Sequence, residues 1–203
     1  MPDITSPPTA MPRPEPATPR PSADTSRTTQ ILPFEPRHAT AVLDLVLSIQ
    51  QQEFGLPVSA DAQPDLLDIP GRYQSGNGNF WTALSDARVV GTIGLLDIGQ
   101  GRTALRKMFV AAPMRGSRHG VAQRLLDTLL RWCHECGVNE VWLGTTEKFL
   151  AAHRFYEKNG FDRVEPHALP RNFPVMAVDT RFYRRRLPGA AALRPVDVHP
   201  STT

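Results

Sequence analysis

The residues best placed to do chemistry lie between Met108 and Ala122, in the string Met-Phe-Val-Ala-Ala-Pro-Met-Arg-Gly-Ser-Arg-His-Gly-Val-Ala. Met108, Phe109 and Val110 end a strand-like run, Arg115 to Gly120 form a basic glycine-bearing turn, and helical spacing of apolar residues starts at Val121. The first N–H groups of a helix have no intrahelical partner. Together with the helix dipole they form a site for anions, phosphate above all. Gly116 and Gly120 permit close backbone approach, and Arg115 and Arg118 add positive charge. The glycines are four apart, which fits neither the P-loop string ending in Gly-Lys and Ser or Thr nor the Gly-x-Gly-x-x-Gly dinucleotide fingerprint. Spacing alone leaves two readings open, a pyrophosphate cradle or an ordinary turn.

Two other sets invite functional readings. Cys133 and Cys136 form a Cys-x-x-Cys pair, and these are the two cysteines of the chain. Zinc normally takes four ligands and no second pair exists. A redox thiol gains its low pKa at a helix start, whereas this pair falls at a helix end, before Gly137, where the dipole disfavours a thiolate. The pair therefore reads as helix packing, and no metal is expected. Arg184, Arg185 and Arg186 read as a solvated strand end. With a formal charge of only +3 on 203 residues, no nucleic-acid partner is indicated.

The elements that must position these groups follow from punctuation and periodicity. Gln30 to Phe34 reads as a first strand, and His38 to about Glu53 as a helix with Ala41, Val42, Leu45, Val46 and Ile49 on one face. Gly55 and Pro57 stop it. A shorter helix is expected near Pro64 to Tyr73, broken at Pro70-Gly71. Three strands in a meander follow, Asn79–Leu84, Val89–Ile98 and Thr103–Val110, joined by Ser85-Asp86-Ala87 and Gly99-Gln100-Gly101. Val121, Ala122, Leu125, Leu126, Leu129, Trp132 and Cys133 recur at helical spacing, with Asp127 and Arg131 placed to pair on the wet face. Glu140–Thr145 is a strand, Lys148–Asn159 a helix, and Phe161–Val164 and Val175–Arg185 are final strands. The result is a mixed α/β sheet with helices on its faces. Residues 1–28 and 188–203, rich in proline and polar residues, are expected to be disordered tails around one domain over 29–187. No run approaches a bilayer span and no signal-peptide core is evident at the start, so no membrane is expected and a cytoplasmic location follows by default.

The string Arg115-Gly116-Ser117-Arg118-His119-Gly120 resembles the acetyl-CoA signature of the GNAT superfamily of N-acetyltransferases, Arg/Gln-x-x-Gly-x-Gly/Ala, with Arg118 in place of the usual middle glycine. Downstream, Ala152-His153-Arg154-Phe155-Tyr156-Glu157-Lys158-Asn159-Gly160-Phe161 is similar to the family's Ala-x-x-Phe-Tyr-x-Lys-x-Gly-Phe helix. Phe149 stands where many members carry an asparagine. The resemblance covers about residues 29–187. It implies the GNAT-like acyl-CoA N-acyltransferase fold, a central, mostly antiparallel sheet flanked by helices, and acetyl-CoA as co-substrate. The strand ending Met108-Phe109-Val110 would splay from the strand near Val141–Gly144 and bond the pantetheine arm. Gly116 to Val121, with Ser117, Arg118 and His119 among them, would hold the pyrophosphate. Tyr156 occupies the position of the acid that protonates the departing thiolate, and a backbone N–H such as that of Val110 would polarise the thioester carbonyl.

The amine must also lose a proton. Glu53 and Asp97 are the candidate bases, and water chains are an alternative; the spacing of His119 and His153 supports neither as catalytic. The family places the acceptor-covering segment at Gln51–Gly78, whose acidic bias would suit a cationic amine, and a late hairpin near Leu169–Tyr183. The expected activity is transfer of acetyl from acetyl-CoA to a primary amine of a small molecule or amino acid. A protein lysine or N-terminus as acceptor, or a non-catalytic acyl-CoA-binding module, are the alternatives. A homodimer is left open.

Overall fold

The computed structural model describes residues 29–188. Of the tails expected over 1–28 and 188–203, all but Pro188 lie outside the described residues. Aromatic and β-branched runs become strands as their composition predicts: β1 Gln30–Pro33, β2 Asn79–Ser85, β3 Arg88–Asp97, β4 Arg102–Val110, β5 Glu140–Thr145, β6 Asp162–Val164 and β7 Arg181–Arg186. They form one seven-stranded sheet in the order β1-β2-β3-β4-β5-β7-β6. Every neighbouring pair is antiparallel except β4 and β5. A parallel pair needs a long crossover, supplied here by α4, Val121–Glu135. The remaining helices are α1 Ala39–Ser48, α2 Pro64–Leu67, α3 Ile69–Tyr73 and α5 Leu150–Lys158.

The period of two along each strand divides the core between the sheet's faces. Trp81, Ile93 and Leu95 meet Leu125, Leu126, Leu129 and Cys133 of α4, and Tyr156 of α5, on one face. Phe80 meets Val42 and Val46 of α1, together with Leu66, Ile69 and Tyr73, on the other. Burying each such side chain contributes about 1.5–3 kcal/mol, so these two interfaces hold the helices in place. Gly94 is needed on the α1 face, because a Cβ there would stand 2.7 Å from the Tyr73 ring.

Several details depart from the sequence expectations. The first helix gives way at Ile49 to a wider π turn through Glu53, and its buried residues are Val42 and Val46, with Ala41 exposed. Pro70 starts α3 instead of breaking a helix: Asp68 accepts from the Gly71 N–H at 3.0 Å, and the missing proline donor costs nothing in a first turn. Asp127 accepts from Gln123 at 2.9 Å, the neighbour one turn back, in place of Arg131. The last strand starts at Arg181 and not at Val175. Residues 175–180 instead turn about Asp179, which receives the Met176 N–H at 2.9 Å; no hairpin closes within 169–183, and β7 pairs with β5 and with β6, which precedes that segment.

Candidate active site

The site opens where β4 leaves β5. The two strands pair only at Arg102–Glu140, Thr103–Val141 and Ala104–Trp142. Beyond Ala104, β4 stays on β3 but carries a bulge: the register shifts between Thr92 and Gly94, and Lys107 takes a φ of +51°. A non-glycine residue in the left-handed region is held there only by its surroundings. Here the Thr92 hydroxyl donates to the Lys107 carbonyl at 2.7 Å. The Lys107 ammonium reaches Gln63 Oε1 at 2.7 Å and Asp65 Oδ1 at 3.3 Å. Asp65 also receives the Tyr73 hydroxyl at 2.5 Å. Burial lowers the Lys107 pKa, opposed by the adjacent Asp65 carboxylate, and burial raises that of Tyr73.

The bulge decides which backbone groups face the opening. Ala111 donates its N–H to Val90 on β3, so by strand alternation the N–H and C=O of Val110 point to the open side. The Val110 carbonyl is met by Arg115 Nε at 2.7 Å, and the rest of that guanidinium grips Glu53 at 2.6 and 2.9 Å. Arg115 therefore ties the end of β4 to the π turn after α1, and Glu53 is engaged in that pair.

Two chambers meet at Met108, Phe109, Phe149 and Ala152. One is an apolar groove walled by Ile49, Phe54, Val110 and Leu150. Phe149 packs edge-on against Phe54, with centroids 4.3 Å apart, and against Phe109 at 6.4 Å, so the residue found in place of asparagine forms part of the groove's wall. The groove leads towards the turn before α4, where Gly116 and Gly120 have φ of +89° and +58°. A Cβ on Gly116 would find nothing within 4 Å. Gly120 is the N-cap, no side chain caps α4, and its first turn holds no acidic residue. Ser117 and Arg118 are exposed, His119 is half-buried and Val121 is buried. This open, uncapped start with two left-handed glycines fits a pyrophosphate.

Tyr156 lies at the seam. It is 6% exposed, its hydroxyl points to Met108 Sδ at 3.6 Å, and its ring packs on Phe161 and Tyr183. Burial raises its pKa, so the phenol keeps its proton. The second chamber is lined by Gln50, Leu56, Arg106, Lys107, Thr145, Thr146, Phe173 and Asp179. None of the acidic residues of Gln51–Gly78 lines it. Asp65 is held by Lys107 and Tyr73, and Asp68 caps α3. Asp97, the other candidate base, accepts from the N–H groups of Gly99 and Asn77 at 2.7 and 2.9 Å. Sequence reasoning missed Arg106, Lys107 and Asp179, and no motif marks them.

The remaining singled-out residues are structural. His153 is buried, with Nε2 2.9 Å from the Thr146 carbonyl and Nδ1 facing Arg181 at 3.4 Å. Cys133 is a buried free thiol pushed up to about 12 by desolvation, and Cys136 is also free. Arg184 stacks over Trp142, Arg185 over Phe161, and Arg186 lies 3.9 Å from Glu140. Among the described residues no cluster of His, Cys, Asp and Glu could hold a metal ion, and no helix is long and apolar enough to cross a membrane.

Comparison with known proteins gives the same outline. The model of the acetyltransferase (GNAT) family matches residues 43–161. A probable N-acetyltransferase family 8 member 5 of Mus musculus is 32% identical over 128 residues, covering 61% of this chain and 56% of its own length. An N-acetylaspartate synthetase of Danio rerio is 34% identical over 111 residues, 52% of this chain and 39% of that protein. The chain thus spans about half the length of the curated relatives it matches. A GNAT-family acetyltransferase from Staphylococcus aureus superposes with a TM-score of 0.77 at 36% identity, covering 79% of this chain and 100% of that one.

Proposed function

The chain belongs to the GNAT acetyltransferase family, and on that premise we propose that it transfers the acetyl group of acetyl-CoA to a primary amine of a small molecule, by direct attack with both substrates bound. The observation that carries this reading is the β4–β5 opening, with Tyr156 at its floor and the uncapped glycine turn at one end.

Each part has a task. The open-side backbone of Leu105–Val110 offers the pantetheine amides an added strand, as exposed strand edges do. The turn from Gly116 to Val121 takes the pyrophosphate, with Arg118 free to approach it from the surface. Arg115 acts first through position, holding Val110 so that its N–H faces the thioester oxygen, where charge develops. The amine nitrogen attacks the carbonyl carbon, the C–S bond breaks, the thiolate takes the proton of the Tyr156 hydroxyl, and the surplus proton of the nitrogen restores that hydroxyl as the amide forms. A phenol held in its protonated form by burial suits that donation. Holding the two reactants in one cleft supplies much of the remaining acceleration.

Calorimetry with acetyl-CoA on the full chain, beside Arg115→Glu, tests the reading. Saturable binding that weakens at least tenfold in the variant is expected, because the introduced carboxylate faces Glu53 and releases Val110. An intact chain that does not bind acetyl-CoA would end the transferase reading.

A further inference from the structure

Resting on that reading, we infer that the acceptor is a zwitterionic amine, an amino acid or a close analogue, whose acid group is bound by Arg106 and whose ammonium gives its proton to Asp179.

The argument starts from the charges of the second chamber. Arg106 is half-buried on its wall. Among the described residues its guanidinium donates to the Pro174 carbonyl at 3.2 Å and forms no ion pair within 4 Å. A guanidinium carries five donors, of which the Pro174 carbonyl takes one. The other cation of the wall, Lys107, is already satisfied by Gln63 and Asp65. Arg106 thus lines the chamber with donors beyond the one given to Pro174, and a guanidinium is matched to a carboxylate.

Asp179 supplies the opposite charge. It lies against Gly144 of β5, so closely that a Cβ there would stand 2.4 Å from Asp179 Oδ2. Gly144 and Tyr156 line the same chamber as Asp179, which puts this carboxylate on the β5 side of the opening where the thioester is expected. The groups around it are the Met176 N–H from its own turn and Arg106 and Lys107 from β4. Desolvation raises its pKa and those three groups lower it, with desolvation prevailing. A carboxylate above its ordinary range is a better acceptor for an ammonium proton than a solvated one. The step balances: one proton leaves the ammonium for Asp179, the freed lone pair attacks the carbonyl carbon, the C–S electrons pass to sulfur, sulfur takes the Tyr156 proton, and the second proton of the attacking nitrogen goes to the Tyr156 phenolate as the amide forms.

The test is thiol release from acetyl-CoA by the full chain, with matched acceptors that differ only in the acid group: phenylalanine against phenethylamine, histidine against histamine, lysine against cadaverine. The acid-bearing members should be used with kcat/KM about 30-fold higher, the value of one charge-assisted contact. Arg106→Gln should abolish that preference through KM, and Arg106→Lys should restore part of it. Asp179→Asn, which keeps an oxygen for the Met176 N–H, should lower kcat about 100-fold for every acceptor. It should also remove the acidic limb of the pH profile, which in the parent falls as pH drops through a midpoint above the ordinary carboxylate range. Calorimetry should find acetyl-CoA affinity unchanged in all three variants. Bare amines used as well as their acids, or an equal loss for both with Arg106→Gln, would overturn the assignment and leave the transferase reading standing. Absence of thiol release in both arms would sink the two together.

Discussion

On the proposed reading, the donor half and the acceptor half of the cleft are built by different means. The donor half consists of backbone: an unpaired stretch of β4, two left-handed glycines and the uncapped first turn of α4. Its contacts are local in sequence. The acceptor half consists of side chains brought from far apart, Gln63 and Asp65 onto Lys107, Arg106 onto Pro174, Asp179 onto Gly144. Coenzyme A presents the same phosphates and amides whichever enzyme holds it, so main chain suffices to bind it. An acceptor differs from enzyme to enzyme, and that variety needs side chains.

This division can be broken or sharpened by substitution. Tyr156 sits where the halves meet, and Tyr156→Phe should lower turnover by about 100-fold or more while acetyl-CoA affinity, read by calorimetry, stays within twofold. Lys107→Met should strike the acceptor half and, through the bulge, loosen the stretch of β4 that faces the donor. It strips the partner from Asp65 at a nearly buried pair and should cost about 3 kcal/mol in a denaturant titration. Gly120→Ala should strike the donor half alone. With φ at +58° a side chain costs about 1–2 kcal/mol, which should appear as roughly tenfold weaker acetyl-CoA binding with acceptor KM unchanged. Cys136→Ser should touch neither half, and a thiol reagent should leave the buried Cys133 unmodified until the protein unfolds.

The same division explains what the sequence let one read. The turn at Arg115–Gly120, the apolar stripe of α4 and the α5 motif ending at Gly160 are local patterns, legible because period and glycine placement carry the structure. The bulge at Lys107 left no such trace. Its left-handed φ is imposed by Thr92, Gln63 and Asp65, residues up to 44 positions away. Arg106 and Asp179 were missed for a related reason. Arg106 carries no local mark beyond being a polar residue on a strand. Asp179 fell in a stretch of β-forming composition that in fact turns. Of the acidic residues of Gln51–Gly78, Glu53, Asp65 and Asp68 engage Arg115, Lys107 and the Gly71 N–H, and charge counted along the chain says nothing about which charges face the cavity.

Three residue pairs join β4 to β5, and this short seam has a consequence for how the molecule assembles. The sheet is two antiparallel ribbons, β1–β4 and β5–β7, joined at one parallel contact. Antiparallel pairing through short turns forms early, whereas a parallel contact waits on closure of a long crossover. The cleft opens at that joint, and its amides lie beside a seam of only three residue pairs. Hydrogen exchange from the open edge of β4 should accordingly be fast in the free protein and slow sharply once a pantetheine chain completes the ladder.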